Sequence, residues 1–322
     1  MHVLAWLPPL VVPLIAAVAA RPLADRLPPR TATWLLAISA AVLAGASCGV
    51  LGVLALAAAM RIPFVDVLGG MSLSVVNNRD PASLPLGIVA AGLLVAAAAA
   101  AVRAAWLRTA ALVSAHRQTR RLPRAGRPAG PGGAVVIDDD GVDAYTVPGW
   151  PSRIVVTSGM LAALSPAERE VLLAHERAHA SACHYVFTAV ARLAAAANPL
   201  LGPLAAAIGY SIERWADEKA AAAAGSRALA ARTIAKAALA ATAAPAPRVT
   251  SFALLGILPR PALSRDAGLV PRRVAALLGP PPKPRLVLLI LAVALVAFAG
   301  LCALDAAREV HGLIEFAQAA AG

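Results

Sequence analysis

The chain is poor in charged residues, which make up 14% of its 322 positions, whereas a typical soluble domain has about 25%. This deficit excludes most soluble globular proteins and indicates an integral membrane protein. Cysteine is also scarce, with three residues at Cys48, Cys183 and Cys302. Because the number is odd and two of the three lie in apolar runs, the sequence argues against a disulfide framework and a Cys-x-x-Cys metal knuckle.

Acidic residues are few as well, 17 against 29 basic ones, so the formal net charge is +12. A basic chain suggests nucleic-acid binding, but no basic module interleaved with aromatic residues is present. The arginines instead cluster beside apolar runs, as they do in the cytoplasmic flanks of membrane helices. We therefore expect the lipid bilayer, and not nucleic acid, as the partner of these charges.

The apolar residues are concentrated in runs long enough for membrane helices, which need about 20 residues each. Runs at 3–20, 33–60 and 84–107 predict a three-span membrane region over residues 1–107. A further run predicts a fourth transmembrane helix over 284–304. The first run ends like a signal peptide, but the chain starts without basic residues, so we predict an uncleaved span.

The distribution of arginine predicts the orientation of these spans. A markedly basic stretch, 108–133, follows the third run, and basic residues stay on the cytoplasmic side. Counting spans from this linker places both termini outside the cytoplasm, with a short extracytoplasmic tail at 305–322. The expected location is the plasma membrane, with several crossings.

A helix is predicted over residues 165–184, beginning with a capping box formed by Ser165 and Glu168. On this helix His175 and His179 lie four residues apart, so their rings project from one face. Glu176 stands between them. This is His-Glu-x-x-His, in which two imidazoles bind zinc and the glutamate takes a proton from water.

A catalytic zinc site uses three protein ligands, so the histidine pair requires one more. His184 is one candidate, although no glycine turns the chain between it and His179. Glu213 is the better one, because Asp217 lies one turn later and can accept the free N–H of a ligating imidazole. The alternative is that Glu213 and Asp217 belong to a solvated helix face, paired with neighbouring basic residues.

The segment between the predicted helix and Glu213, residues 185–210, is as long as a membrane span. It contains four residues that are unusual in a span: Arg192, Asn198, Pro199 and Pro203. If Glu213 joins the histidines, both ends of the segment lie on the same side of the membrane. Two crossings would need about 40 residues. We therefore predict helices that are buried in the domain or dip into the membrane surface.

Several short segments then occur in a recognisable order. They are AYTVPG at 144–149, IVVTSGM at 154–160, HERAH at 175–179, NPL at 198–200, ERWAD at 213–217, and Arg273-Val274 with Leu277-Leu278. In this order they resemble the membrane-embedded zinc metallopeptidases of the BlaR/MecR type, with the HtpX-type peptidases as relatives. The similar region covers residues 134–278, and the layout of four spans fits it.

The resemblance implies a mainly α integral membrane protein of about four transmembrane helices. Its metallopeptidase domain, residues 134–280, would be cytoplasmic with an α+β zincin-like (gluzincin) fold. By the same resemblance His175, His179 and Glu213 bind one Zn²⁺ per chain, Glu176 is the general base and Asp217 supports a ligating histidine. Three further residues are candidate oxyanion or substrate contacts, each with a structural role as the alternative: Tyr145, His184 and Arg273.

The expected function is that of a zinc metalloendopeptidase cleaving a protein or peptide substrate at the cytoplasmic face. An edge strand at 144–147 would hold an extended substrate by strand addition. Regulatory cleavage of a repressor and removal of misfolded membrane proteins are both open. BlaR-type receptors carry an extracellular sensor domain after the last span, and the short tail here argues against β-lactam sensing.

Two other functions remain as alternatives. One is a non-catalytic membrane receptor or scaffold derived from such a peptidase. The other is a site-2-type intramembrane protease, which also begins with His-Glu-x-x-His. Such enzymes place the histidine pair within a span, whereas the helix here starts with Ser-Pro-Ala-Glu-Arg-Glu, which is hard to bury in lipid.

Overall fold

The structure is a computed structural model that describes residues 7–60, 84–121, 134–149, 152–244 and 269–319. Residues 61–83, between the second and third apolar runs, lie outside the described residues, as do residues 122–133 of the basic linker. So do both ends of the chain, residues 1–6 and 320–322.

The described chain is mainly helical, as predicted. Its helices are α1 (Pro8–Arg26), α2 (Pro29–Ala59), α3 (Leu84–Arg121), α4 (Ser158–Ala163), α5 (Pro166–Ser181), α6 (His184–Ala197), α7 (Gly202–Ala223), α8 (Arg227–Ala243), α9 (Leu269–Leu278) and α10 (Leu286–Ala319). A 3₁₀ turn, Pro199–Leu201, joins α6 to α7. The strands are β1 (Val135–Ile137), β2 (Ala144–Val147) and β3 (Arg153–Thr157).

Four of the described helices are long and apolar enough to cross a membrane, in agreement with the predicted number of spans. Their apolar parts are Pro8–Arg26, Pro29–Ala59, Leu84–Ser114 and Leu286–Arg308. Helix α10 continues through Ala319, so the residues predicted to form a tail are largely helical. Helix α3 likewise continues into the basic region as far as Arg121. The intrahelical hydrogen bonds thus extend beyond the apolar segments.

The three strands form one sheet in the order β1-β3-β2. β1 runs parallel to β3 and β2 runs antiparallel to it, with Tyr145 opposite Val155. Among the described strands β2 therefore lies at an edge of the sheet, as the resemblance implies. Because successive side chains alternate between faces, Ala144 packs with Val156 and Leu173 towards α5, whereas Tyr145 packs with Val147 and Val155 on the other face.

The turn from β3 into α4 requires glycine at Gly159. A Cβ atom at this position would collide with the carbonyl oxygen of Asp140 and would lie 2.8 Å from that of Gly141. The Gly159 amide donates to the Asp139 carbonyl at 2.9 Å. This close approach fixes β3 and α4 against the loop that leads into β2.

Helix α5 begins with the predicted capping box. The Ser165 amide donates to the Glu168 carboxylate at 2.8 Å, and the Glu168 amide donates to the Ser165 hydroxyl at 3.4 Å. The helix ends at Ser181, however, so the prediction of one helix through His184 was wrong at its carboxyl end. Cys183 adopts the left-handed conformation with φ 50°, and His184 begins α6 in a new direction.

Helices α6 and α7 form a hairpin that packs along α1 and α2 in a shared apolar core. At one end the Trp34 and Phe187 rings are 4.8 Å apart, and at the other Asn198 donates to the Ser47 hydroxyl at 3.0 Å. Trp34 and Ser47 are separated by about 20 Å along α2, at 1.5 Å per residue. The two ends of the hairpin therefore lie at the same end of the helical bundle. This is required if Glu213 is to join the histidines of α5.

The irregular backbone at the tip of this hairpin is satisfied within the protein. The Asn198 side chain accepts from the Leu200 amide at 3.1 Å, and the Ser47 hydroxyl that it contacts lies 2.8 Å from the carbonyl oxygens of Pro9 and Leu43. Buried non-helical backbone is tolerated where other protein groups satisfy its polar atoms. The Asn-Pro pair thus ends α6 and lets the chain turn back towards the site.

Candidate metal centre

Two helices bring three donor side chains together. His175 and His179 lie one turn apart on α5, and Glu213 lies on α7, which packs against it. Their three donor atoms, one from each residue, all lie within 4.8 Å of one another. The two Nε2 atoms are 3.1 Å apart, and the Glu213 carboxylate oxygens lie 3.6 Å from His175 Nε2 and 3.7 Å from His179 Nε2.

This geometry fits a zinc ion. Two nitrogens bound at about 2.0–2.1 Å to one tetrahedral zinc lie roughly 3.3 Å apart, close to the observed separation. His175 and Glu213 are buried, with 7% and 4% of their surface exposed. Two imidazoles and one carboxylate are also the donor set of catalytic zinc sites, which leave a further position open.

Asp217 holds the far side of the His175 ring. Its Oδ1 atom lies 3.0 Å from His175 Nδ1, and its side chain is almost completely buried. A carboxylate at this distance can accept a hydrogen bond from a protonated Nδ1, which would leave the lone pair of His175 on Nε2, facing the other donors. This is the relationship expected from the four-residue spacing of Glu213 and Asp217.

Arg273, on α9, joins the two acidic residues of α7. It donates two hydrogen bonds to Asp217 at 2.7 and 2.8 Å and lies 3.0 Å from the Glu213 carboxylate. Burial alone would raise the pKa of both carboxyl groups, but Arg273 and the histidines lower it below its ordinary value. Both groups are therefore ionised. The guanidinium group of Arg273 is thus paired with the carboxylates of Glu213 and Asp217.

His184 lies on the side of His179 away from the other donors. The two Nδ1 atoms are 2.9 Å apart, and the His184 ring also packs on Trp215 at 4.8 Å. Burial lowers the pKa of His184 to about 4, so its ring is neutral. A neutral imidazole can accept the Nδ1 proton of His179, which leaves His179 Nε2 free for a metal. His184 is not among the three converging donors.

Glu176 is buried beside the histidine pair and contacts the sheet. The Thr146 hydroxyl lies 2.9 Å from its Oε2 atom and 2.9 Å from its main-chain oxygen. Burial raises the pKa of Glu176 above its ordinary value, and His175 and Thr146 partly offset this. Sequence analysis did not single out Thr146. The alternation of side chains along a strand places Thr146 and Tyr145 on opposite faces of β2, so it indicates that only one of them can face the site helix.

Tyr145 therefore packs on the face of the sheet opposite α5. Burial, together with the nearby Asp143 and Asp139, raises its pKa to about 12. The phenol is neutral at any physiological pH, and the residues against which it packs are Val147 and Val155. The structure thus brings Thr146, and not Tyr145, to the general-base candidate.

With this geometry in place, comparison with known proteins gives one family. Residues 109–254 match peptidase family M48. The match supports membership of that family and indicates a metallopeptidase, and it includes both histidines, Glu176, Glu213 and Asp217. No curated protein and no solved structure matches the chain. The narrower resemblance to the BlaR/MecR and HtpX types stays a prediction.

Proposed function

We propose that the chain is a membrane-anchored zinc metalloendopeptidase that cleaves a protein or peptide substrate at the cytoplasmic face. The observation that carries the proposal is the convergence of His175, His179 and Glu213, with Glu176 beside them. In this proposal the three converging residues hold one zinc ion and Glu176 is the general base.

When bound, zinc supplies a Lewis acid that makes water acidic enough to attack a peptide carbonyl near neutral pH. The Glu176 carboxylate takes the proton of that water and then delivers it to the departing amine. Thr146 orients the carboxylate by hydrogen bonding. Asp217 and His184 each fix the tautomer of one histidine, so that both Nε2 lone pairs face the centre.

The substrate is expected to bind along β2 as an extended peptide. β2 lies at an edge of the sheet that the described strands form, and a peptide can pair with the outer side of an edge strand through main-chain hydrogen bonds. Thr146 belongs to this strand and contacts Glu176, so a peptide paired with β2 would pass close to the general base. Main-chain pairing selects an unfolded or extended segment of a protein, with little dependence on sequence.

The arginines near the metal centre support the proposed cytoplasmic location. Arg214, which follows Glu213 on α7, donates to the main-chain carbonyl of Ala24 at the end of α1. This end of α1 leads into the short connection to α2, which is flanked by Arg26 at the end of α1 and Arg30 at the start of α2. Because basic residues remain on the cytoplasmic side, we place the metal centre there and both termini outside. A reporter enzyme fused after Gly322 tests this orientation, and cytoplasmic activity of the reporter would contradict it.

The test of function is a comparison of the wild type with Glu176→Gln. Purified variant should retain zinc at the wild-type level, because Glu176 is not among the converging donors. Cells expressing the wild type should contain cleavage products that are absent from cells expressing the variant, as measured by quantitative proteomics of new peptide termini. Identical products in both cell populations would overturn the proposal.

A further inference from the structure

A groove between α2 and α10 lies outside the metal centre and has no part in the proposed chemistry. It encloses a cavity of about 780 Å³, which is within the range of small-molecule sites, roughly 300–1,000 Å³. One wall is a stripe on α2 with a spacing of four residues: Arg30, Trp34, Ile38 and Val42. The other wall comes from α10 and includes Leu289, Val293 and Val296.

Beyond Arg30 and Thr31 the lining of the groove is apolar apart from Ser39, and the groove opens to the outside of the bundle. Ile38 and Val293 line it and are about half exposed, at 53% and 50%. Trp34, at 49% exposed, also packs on Phe187 of α6. In a membrane these side chains would face hydrocarbon, so the groove suits an acyl chain that enters from the side.

Arg30 places a positive charge at the polar end of the groove. Arg30 is exposed, and among the described residues no carboxylate forms an ion pair with it. Its guanidinium lies 5.8 Å from the centre of the Trp215 ring. Two more exposed cations, Lys283 and Arg285, precede the end of α10 that packs on Leu27 and Leu35. This charge is complementary to an anionic headgroup.

The length of the groove distinguishes a lipid from a transmembrane helix. Arg30 and Val42 are about 18 Å apart along α2, at 1.5 Å per residue. This is close to half of the hydrocarbon thickness, which is about 30 Å in total. A helix crossing the membrane would follow α2 along most of its length, whereas one phospholipid occupies a single leaflet.

We propose that this groove binds one anionic phospholipid, with an acyl chain between α2 and α10 and its phosphate at Arg30. The inference rests on the proposed membrane location. The headgroup would then lie beside Trp215, whose own side chain packs on His184. The lipid would cover the outer side of the residues that support His179.

The test uses native mass spectrometry of the full chain, purified with phosphatidylglycerol or with phosphatidylcholine. The wild type should retain one phosphatidylglycerol per chain and little phosphatidylcholine. Arg30→Gln removes the charge, and Val293→Trp fills the groove. Each should lower the phosphatidylglycerol-bound fraction about tenfold, the effect of losing one charge-assisted hydrogen bond or blocking the site. Matched controls on α3, Arg103→Gln and Val95→Trp, should leave it unchanged.

Equal retention of the two lipids, or retention unaffected by Arg30→Gln and Val293→Trp, would overturn the inference. A photo-crosslinker at Val293 provides a second measurement. Crosslinks to lipid support the proposal, whereas crosslinks to a second copy of the chain or to another protein contradict it. Because Glu176→Gln should bind the lipid as the wild type does, failure of the lipid proposal is distinguishable from failure of the proteolytic one.

Discussion

Arg273 and Asp217 form a fully buried bidentate ion pair between α9 and α7, with N···O distances of 2.8 and 2.7 Å. Asp217 in turn lies 3.0 Å from His175. The pair thus connects the last helix before the fourth span to a proposed metal ligand. Since Arg273 also contacts Glu213, one guanidinium compensates both buried carboxylates of α7.

Replacing Arg273 should therefore be costly. Arg273→Gln leaves two buried carboxylates without their cation, and breaking a buried pair in this way costs about 3–5 kcal/mol. The variant should unfold at a markedly lower temperature in detergent and should lose zinc. Arg272→Gln is the matched control, because the Arg272–Asp25 pair is partly exposed and such pairs contribute about 0–1 kcal/mol. Equal stability of the two variants would contradict this role of Arg273.

The contact between Thr146 and Glu176 predicts that a substitution of Thr146 lowers the turnover rate without changing the zinc content. Thr146→Val keeps the shape of the side chain but removes the hydroxyl that lies 2.9 Å from the carboxylate. A hydrogen bond to a charged group contributes about 1.5–3 kcal/mol, so the turnover rate should fall at least tenfold while the zinc content is unchanged. Thr146→Ser retains the hydroxyl and should recover most of the rate. Loss of zinc in Thr146→Val would contradict this interpretation.

His184 should act on metal affinity through His179. Loss of a hydrogen-bond partner of a ligating histidine typically lowers metal affinity 10- to 100-fold. We expect His184→Ala to show this loss in a chelator competition assay, and His184→Asn to recover part of it, since an amide oxygen can accept the same proton. His311→Ala, on an exposed part of α10, is the control. Wild-type affinity in His184→Ala would refute the positioning role.

The start of α5 gives a prediction for pH. The hydrogen bond from Lys236, at 2.6 Å, and that from the Ser165 amide lower the pKa of Glu168 to about 2 from 4.5. A carboxyl group whose pKa is lowered on folding stabilises the folded state at pH values above its pKa in the unfolded chain. This stabilisation is lost as the pH falls towards the pKa in the folded state. The advantage of the wild type over Glu168→Gln should therefore be constant above about pH 4.5 and shrink towards pH 2.

This difference should stay below about 1 kcal/mol, because Lys236 is half exposed and surface pairs are weak. Glutamine can still accept the Ser165 amide proton, so Glu168→Gln isolates the charge from the capping hydrogen bond. Thermal unfolding midpoints measured across the pH range provide the check. An advantage that grows as the pH falls would show that the sign is wrong.

The features that could be predicted from the sequence are those determined by residues close together in the chain. The capping box at Ser165 and the number of apolar helices depend on neighbouring residues and on run length, and both agree with the structure. The spacing of His175 and His179 likewise determines that they share a helix face. Glu213 required a longer inference, from ligand number and from the spacing to Asp217.

The remaining features depend on contacts between distant parts of the chain. Thr146 reaches Glu176 only because β2 packs its inner face on α5. Cys183 adopts a left-handed conformation that cysteine does not signal, so the end of α5 was placed too late. Arg273 is a candidate substrate or oxyanion contact by sequence, and its pairing with Asp217 could not be predicted because 56 residues separate the two.

The most direct test of the account is the zinc content of the purified chain and of Glu213→Gln, measured by inductively coupled plasma mass spectrometry. The wild type should contain about one zinc per chain, and Glu213→Gln should lose it while remaining folded by size-exclusion chromatography. Glu218→Gln, whose carboxylate pairs with Arg227, should retain it. Full zinc occupancy in Glu213→Gln, with unchanged affinity, would contradict the proposed metal centre.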